Sequence, residues 1–192
     1  MNNDKANNYM PLVLICFLLI IAAFLFYNSP IKIFFSLKDV FIGIGCSLIY
    51  FINYYLSKLL RRNKQLKKAK NPLVSSMLRS YFRDEYVVFI IILMATIEEF
   101  AFRSFLLKSS LSYFNVYVSV IVNAILFSIT HFSKFKFIQL TLMGVLLATI
   151  TLLTNNLLPS IIGHVANNLI IFFKVRYKSS KLATNNNFQR PM

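Results

Sequence analysis

Ala95-Thr-Ile-Glu-Glu-Phe-Ala-Phe-Arg-Ser-Phe105 places two adjacent carboxylates and an arginine in a run that is otherwise as apolar as lipid. Glu98 and Glu99 are two of only 6 acidic residues in the chain. A charged side chain at the centre of a bilayer costs roughly 2.5–3.5 kcal/mol on insertion scales. Three such groups in one short stretch must either satisfy one another or do chemistry.

The surrounding chain reads as a membrane protein. Of its 192 residues 57% are hydrophobic and 14% charged, outside the usual soluble composition. A bilayer core of about 30 Å needs roughly 20 apolar residues per helix. Six stretches meet or approach that length, near 10–27, 38–57, 86–107, 115–132, 137–154 and 157–174. The fold class expected is therefore all-α, a polytopic membrane bundle of about six transmembrane helices. The first stretch is too long for a signal-peptide core and lacks a small-x-small cleavage site, so it reads as a retained helix.

The net charge of +15 is explained by its distribution. If six helices alternate, one face of the membrane receives Lys5, the basic residues from Lys58 to Arg83, Lys134, Lys136 and those from Lys174 to Arg190. Only Lys32, Lys38 and Lys108 fall on the other side, with Arg103 left inside. That asymmetry puts both termini in the cytoplasm. It also points to anionic lipid headgroups as partners and not to nucleic acid. Cys16 and Cys46 lie in separate apolar spans without metal-ligand spacing and read as small buried hydrophobes.

Three segments are expected. Residues 1–85 hold two N-terminal helices, a basic loop and a short amphipathic surface helix over 71–85, read from the spacing of Leu73, Met77 and Tyr81. Residues 86–174 hold the four helices with the intramembrane polar groups, and 175–192 form a polar, disordered cytoplasmic tail. Met1 to Tyr9 reads as a short polar arm, and Asn28-Ser-Pro30 as the stop of the first helix. The few residues around Ser133 to Lys136 make helices 4 and 5 antiparallel neighbours.

Glu99 and Arg103 are four apart with the acid first, so they share a helix face and can neutralise each other. Glu98 is rotated by about 100° and has no cation one turn on, which leaves it as the unpaired carboxylate. A carboxylate in that position can serve as general base toward water. Both histidines lie in apolar spans as well: Asn123, Phe127 and His131 share one face of helix 4, and His164 stands one turn from Asn168 on helix 6. Imidazole can accept a proton, orient water or bind metal, and an amide can donate to an oxyanion. Counting rise per residue puts Glu98 about 20 Å deep. His131 is the misfit, near the inner end of helix 4 unless that helix continues through Lys134 and Lys136.

Read in order, Glu98-Glu-Phe-Ala-Phe-Arg103, Phe127-Ser-Ile-Thr-His131 and His164-Val-Ala-Asn-Asn168 resemble the EExxxR, FxxxH and HxxxN motifs of the CPBP family, the CAAX-protease and bacteriocin-processing (Abi) intramembrane proteases. The resemblance covers roughly residues 86–174. It implies that Glu98 and His131 activate water, that His164 and Asn168 stabilise the oxyanion, and that Glu99 and Arg103 support helix 3 or contact substrate. Family members are described both as metal-dependent and as glutamate hydrolases. Glu98, His131 and His164 could equally hold a divalent metal such as zinc or a water. The function expected is an intramembrane endopeptidase acting on a leader peptide or membrane-protein substrate, in peptide processing or bacteriocin self-immunity. The alternatives are a non-catalytic immunity or scaffold protein and, ranked last, a proton-relay transporter.

Overall fold

The computed structural model describes residues 3–61, 84–131 and 137–187, and every regular element among them is helical. α1 spans Asn3–Asn28 and α2 Leu37–Arg61. α3 begins as Asp84–Glu99, widens into a π-helical segment at Phe100–Leu106 and finishes as Leu107–Ser110. α4 covers Val116–Thr130, α5 Phe137–Thr154 and α6 Leu158–Asn187.

Local chemistry accounts for the boundaries. Asn115 caps α4 with its side-chain oxygen on the Val118 amide at 3.0 Å. Pro159 sits in the first turn of α6, where a missing N–H is harmless. Asn155 takes a positive φ of 46°, a conformation asparagine tolerates, to turn α5 into α6. Two ends differ from expectation. α1 already starts at Asn3, inside the expected polar arm, and α6 continues to Asn187 where a disordered tail was expected from composition. Once a helix exists, each added residue gains a backbone hydrogen bond without a new nucleus, so polar residues can prolong it. The amphipathic helix expected at 71–85 lies outside the described residues except for its last two positions, which open α3. The basic block beyond Arg61 and the connection at 133–136 lie outside them too.

Contacts along the helices give their directions. Residues 15 and 18 meet Leu93 while Phe26 meets Phe100, so α1 and α3 run parallel. Gly43 meets Ile162, Cys46 meets Gly163 and Tyr55 meets Lys174, so α2 and α6 also run parallel. Ala124 meets Gly144 and Ser128 meets Thr141, which makes α4 and α5 antiparallel. Leu147 meets Gly163 and Met143 meets Asn167, so α5 and α6 are antiparallel as well. Consecutive helices thus alternate in direction through the bundle.

The interior mixes apolar and polar side chains, and much of the outer surface is apolar. Glu99, Arg103, Ser104, Asn123, Ser160 and His164 are buried, whereas Phe17, Ile20, Phe24, Phe41, Ile52, Ile121 and Leu142 stand exposed. Cys46 is buried as expected, but Cys16 is exposed: it lies on the outward face of α1, beside the buried Ile15 and not behind it. Large apolar surface left outward marks a surface made for an apolar surrounding. By length and hydropathy, one described helix, α5, is long and apolar enough to cross a membrane, with a mean hydropathy of 2.0; Val13–Asn28 and Val116–Thr130 are apolar but shorter.

Small residues let the helices approach closely, as in lipid, where packing rather than hydrophobic burial joins helices. A Cβ on Gly144 would stand 2.8 Å from the Ala124 Cα, a backbone atom that cannot swing aside. A Cβ on Gly45 would meet nothing within 4 Å. Gly144→Ala should therefore destabilise the bundle by about 1–3 kcal/mol through forced separation of α4 and α5. Gly45→Ala should be neutral or stabilising by up to ~1 kcal/mol from helix propensity. Unfolding of both variants in detergent micelles checks the pair.

Candidate functional site

The site forms where α3 stops being regular. After Glu99 the helix widens, and the Leu107 amide donates to the Phe102 carbonyl, five residues back. Asn123 of α4 also donates to that carbonyl through Nδ2 at 2.7 Å. Such widened turns are rare and are found at functional sites. Here the widening brings Glu98, Glu99 and Arg103 against α4 and α6.

Glu99 and Arg103 have no exposed surface. Arg103 Nε lies 3.4 Å from Glu99 Oε2, the ion pair expected from the spacing. Arg103 Nη1 donates to Asn123 Oδ1 at 3.4 Å, and the guanidinium lies over the Phe127 ring, 4.5 Å from its centroid. The other oxygen of Glu99 accepts from His164 Nδ1 at 2.8 Å. The two buried charges face each other, an imidazole, an amide and an aromatic ring, while Glu99 Oε2 and Arg103 Nε and Nη2 make no hydrogen bond among the described residues.

Glu98 points to different partners. Its Oε2 lies 3.8 Å from His131 Nε2 and 3.7 Å from His164 Nε2, and it makes no direct hydrogen bond although the atom is buried. His131 is the C-cap of α4, which ends at Thr130 and not beyond it. Its Nδ1 lies 2.9 Å from the Phe127 carbonyl, which can only accept, so Nδ1 carries a proton, and in the neutral ring Nε2 is the lone-pair nitrogen that faces Glu98. The same logic applies to His164. With Nδ1 donating to Glu99, its Nε2 also presents a lone pair toward Glu98. The His131 ring packs back one turn onto Phe127, with centroids 4.6 Å apart, and faces Glu98.

One carboxylate oxygen and two imidazole lone pairs, all within 4.8 Å of one another, can be bridged by one small occupant. Glu and two His are a donor set suited to catalytic zinc, and the buried, unpartnered Glu98 Oε2 is a vacant donor of the right kind. A water fits the same donors. The side chains of Glu98 and His131 are 28% and 29% exposed and that of His164 is 1% exposed, so this centre opens on the His131 side.

Sequence reasoning named Glu98, Glu99, Arg103, His131, His164 and Asn168. The first five converge. Asn168 is partly buried one turn beyond His164 on α6, and its amide has no hydrogen-bond partner among the described residues. Asn167 beside it is buried, with Nδ2 3.8 Å from Met143 Sδ. Two contributors went without a role in the sequence. Phe127 packs on both imidazoles, with centroids at 4.6 Å from His131 and 5.5 Å from His164, and Asn123 clamps α3. Their shared helix face with His131 was the available signal. The widened turn of α3 has no sequence signature.

Residues 85–170 match the family model described as type II CAAX prenyl endopeptidase Rce1-like. The match starts at the foot of α3, ends within α6, and contains every residue of the centre. No curated protein and no solved structure matches the chain.

Removing one member of the buried pair leaves the other uncompensated. Arg103→Met should cost about 3–5 kcal/mol in unfolding stability, because Glu99 then lacks a cation. Adding Glu99→Gln, which keeps an acceptor for His164, should recover a large part of that loss. Denaturant titration of the single and double variants measures it.

Proposed function

With residues 85–170 belonging to the CAAX-protease family, we propose that this chain is a multi-pass intramembrane endopeptidase that hydrolyses a peptide bond of a leader peptide or membrane-associated protein. The observation that carries this reading is the convergence of Glu98 Oε2 with Nε2 of His131 and of His164, three basic atoms aimed at one point in an apolar bundle. Structural glue does not need unpartnered lone pairs. A non-catalytic immunity or scaffold protein would have no use for them.

In this reading a water sits among those atoms. Glu98 accepts a proton from it as the water oxygen bonds to the scissile carbonyl carbon. His131 and His164 hold the water through their lone pairs, and Asn168, whose amide has no hydrogen-bond partner among the described residues, donates to the developing oxyanion. When the carbon–nitrogen bond breaks, Glu98 returns the proton to the leaving nitrogen. A divalent metal such as zinc would be held by Glu98, His131 and His164 and would supply Lewis-acid polarisation and a more acidic bound water. Glu99 and Arg103 support the centre without touching the reacting atoms.

The alternating helix directions and outward apolar side chains support six membrane spans. Aromatic residues gather at the α1–α2 and α3–α4 ends, where Tyr27, Phe34, Phe35, Tyr113, Phe114 and Tyr117 are exposed near Lys32, Lys38 and Lys108. That is the composition of a membrane–water interface. Because the greater part of the basic charge lies at the opposite end, both termini are assigned to the cytoplasm, facing anionic headgroups.

Glu98→Ala, His131→Ala and His164→Ala should each lower cleavage of a responsive membrane peptide by about 10²–10⁴-fold while the proteins insert normally. Cleavage persisting at wild-type rate in correctly inserted variants would remove the catalytic reading. Metal analysis of the purified protein, with cleavage measured before and after chelation, separates a metal-bound centre from a water-only one.

A further inference from the structure

The connection between α1 and α2, residues 29–36, lies outside the family-matched segment, yet Ser29 is 3% exposed and Ile31 only 1%. The Ser29 hydroxyl donates to the Ile31 carbonyl. With its one proton so used, Ser29 Oγ must accept from Ser104 Oγ, 2.5 Å away. Ser104 Oγ in turn accepts from the Ile31 amide at 2.9 Å. This ring of bonds leaves no buried polar group unanswered. Ser104 itself has no exposed surface and follows Arg103 directly in the widened turn of α3.

The same connection grips the start of α6. The Lys32 carbonyl accepts from the Leu157 amide at 3.3 Å. Asn156 donates to the Phe34 carbonyl at 2.7 Å and accepts from its amide at 3.0 Å. Ile31 is packed between Phe100, next to Glu99, and Leu157, two turns before His164. The connection is therefore bonded to both helices whose side chains meet in the hydrogen bond between Glu99 and His164.

We propose that residues 29–36 are a fixed positioning wall of the reaction centre. Through Ser104 and Asn156 they set the separation of α3 and α6 at which Glu99 holds His164, and through Ile31 they close that end to water. Substrate then enters from the side where Glu98 and His131 are exposed. The proposal rests on the endopeptidase reading for its kinetic readout only.

The test uses the full chain in membranes with Cys16 and Cys46 replaced by Ala. Ser104→Ala should lower kcat by about 10–100-fold, as loss of an outer partner of a site does, with KM nearly unchanged. In a Glu99→Gln background the same change should cause little further loss, because both act through His164. Ser29→Cys with Ser104→Cys should form a disulfide, seen as protection from thiol alkylation after denaturation that is lost on prior reduction. Oxidised, this variant should match its parent in activity, and reduction should lower it toward Ser104→Ala. An unchanged Ser104→Ala, full additivity with Glu99→Gln, no disulfide, or an oxidised variant that is inactive until reduced would each overturn the fixed wall. If the parent cleaves no peptide, the endopeptidase reading fails, while the alkylation result still reports whether the connection is docked on α3.

Discussion

An arginine with no exposed surface has to be answered from inside the bundle, and that requirement organises the structure. Arg103 finds one carboxylate, one amide oxygen and one aromatic face. The answers come from two helices: Glu99 from its own, Asn123 and Phe127 from α4. The pair cannot be loosened without exposing a charge to an interior that does not solvate it. Helices 3 and 4 are therefore held in one relative position by electrostatics as well as by packing. His164 joins them through Glu99, which ties α6 to the same arrangement.

The widened turn of α3 is the backbone counterpart of that requirement. A regular helix would bond each carbonyl to the amide four residues on. Here the Phe102 carbonyl receives the Leu107 amide and, across the interface, Asn123 Nδ2. The departure from regular geometry thus has a hydrogen-bond partner on α4. Phe127 works at the same junction. Its face takes the guanidinium, and both imidazoles pack on the ring. One side chain thus joins the buried charge pair to both histidines of the candidate site.

Much of this was legible in the sequence, for identifiable reasons. Six apolar runs foretold the helices because length and hydropathy act locally. The partnership of Glu99 with Arg103 followed from a four-residue spacing on one face. Glu98 could be singled out because the spacing left it no cation. What stayed hidden depended on contacts between distant elements. The bond from Glu99 to His164 spans three helices of sequence, and the docking of Ser29 on Ser104 joins a connection to a helix core. No local pattern encodes either. The position of His131 near the inner end of helix 4 was legible, but not that its cap position lets Nδ1 reach back to the Phe127 carbonyl.

Two adjacent glutamates come to different chemistry because the helix turns them toward surroundings of different wetness. Glu99 faces a dry cluster in which every neighbour is fixed. Glu98 faces a centre whose outer members keep more than a quarter of their side-chain surface exposed, so an occupant there can exchange. His164 stands on the boundary, with Nδ1 in the dry cluster and Nε2 in the open centre. The Glu99 carboxylate thus joins His164 to the buried ion pair, and His164 in turn joins that pair to Glu98 and His131.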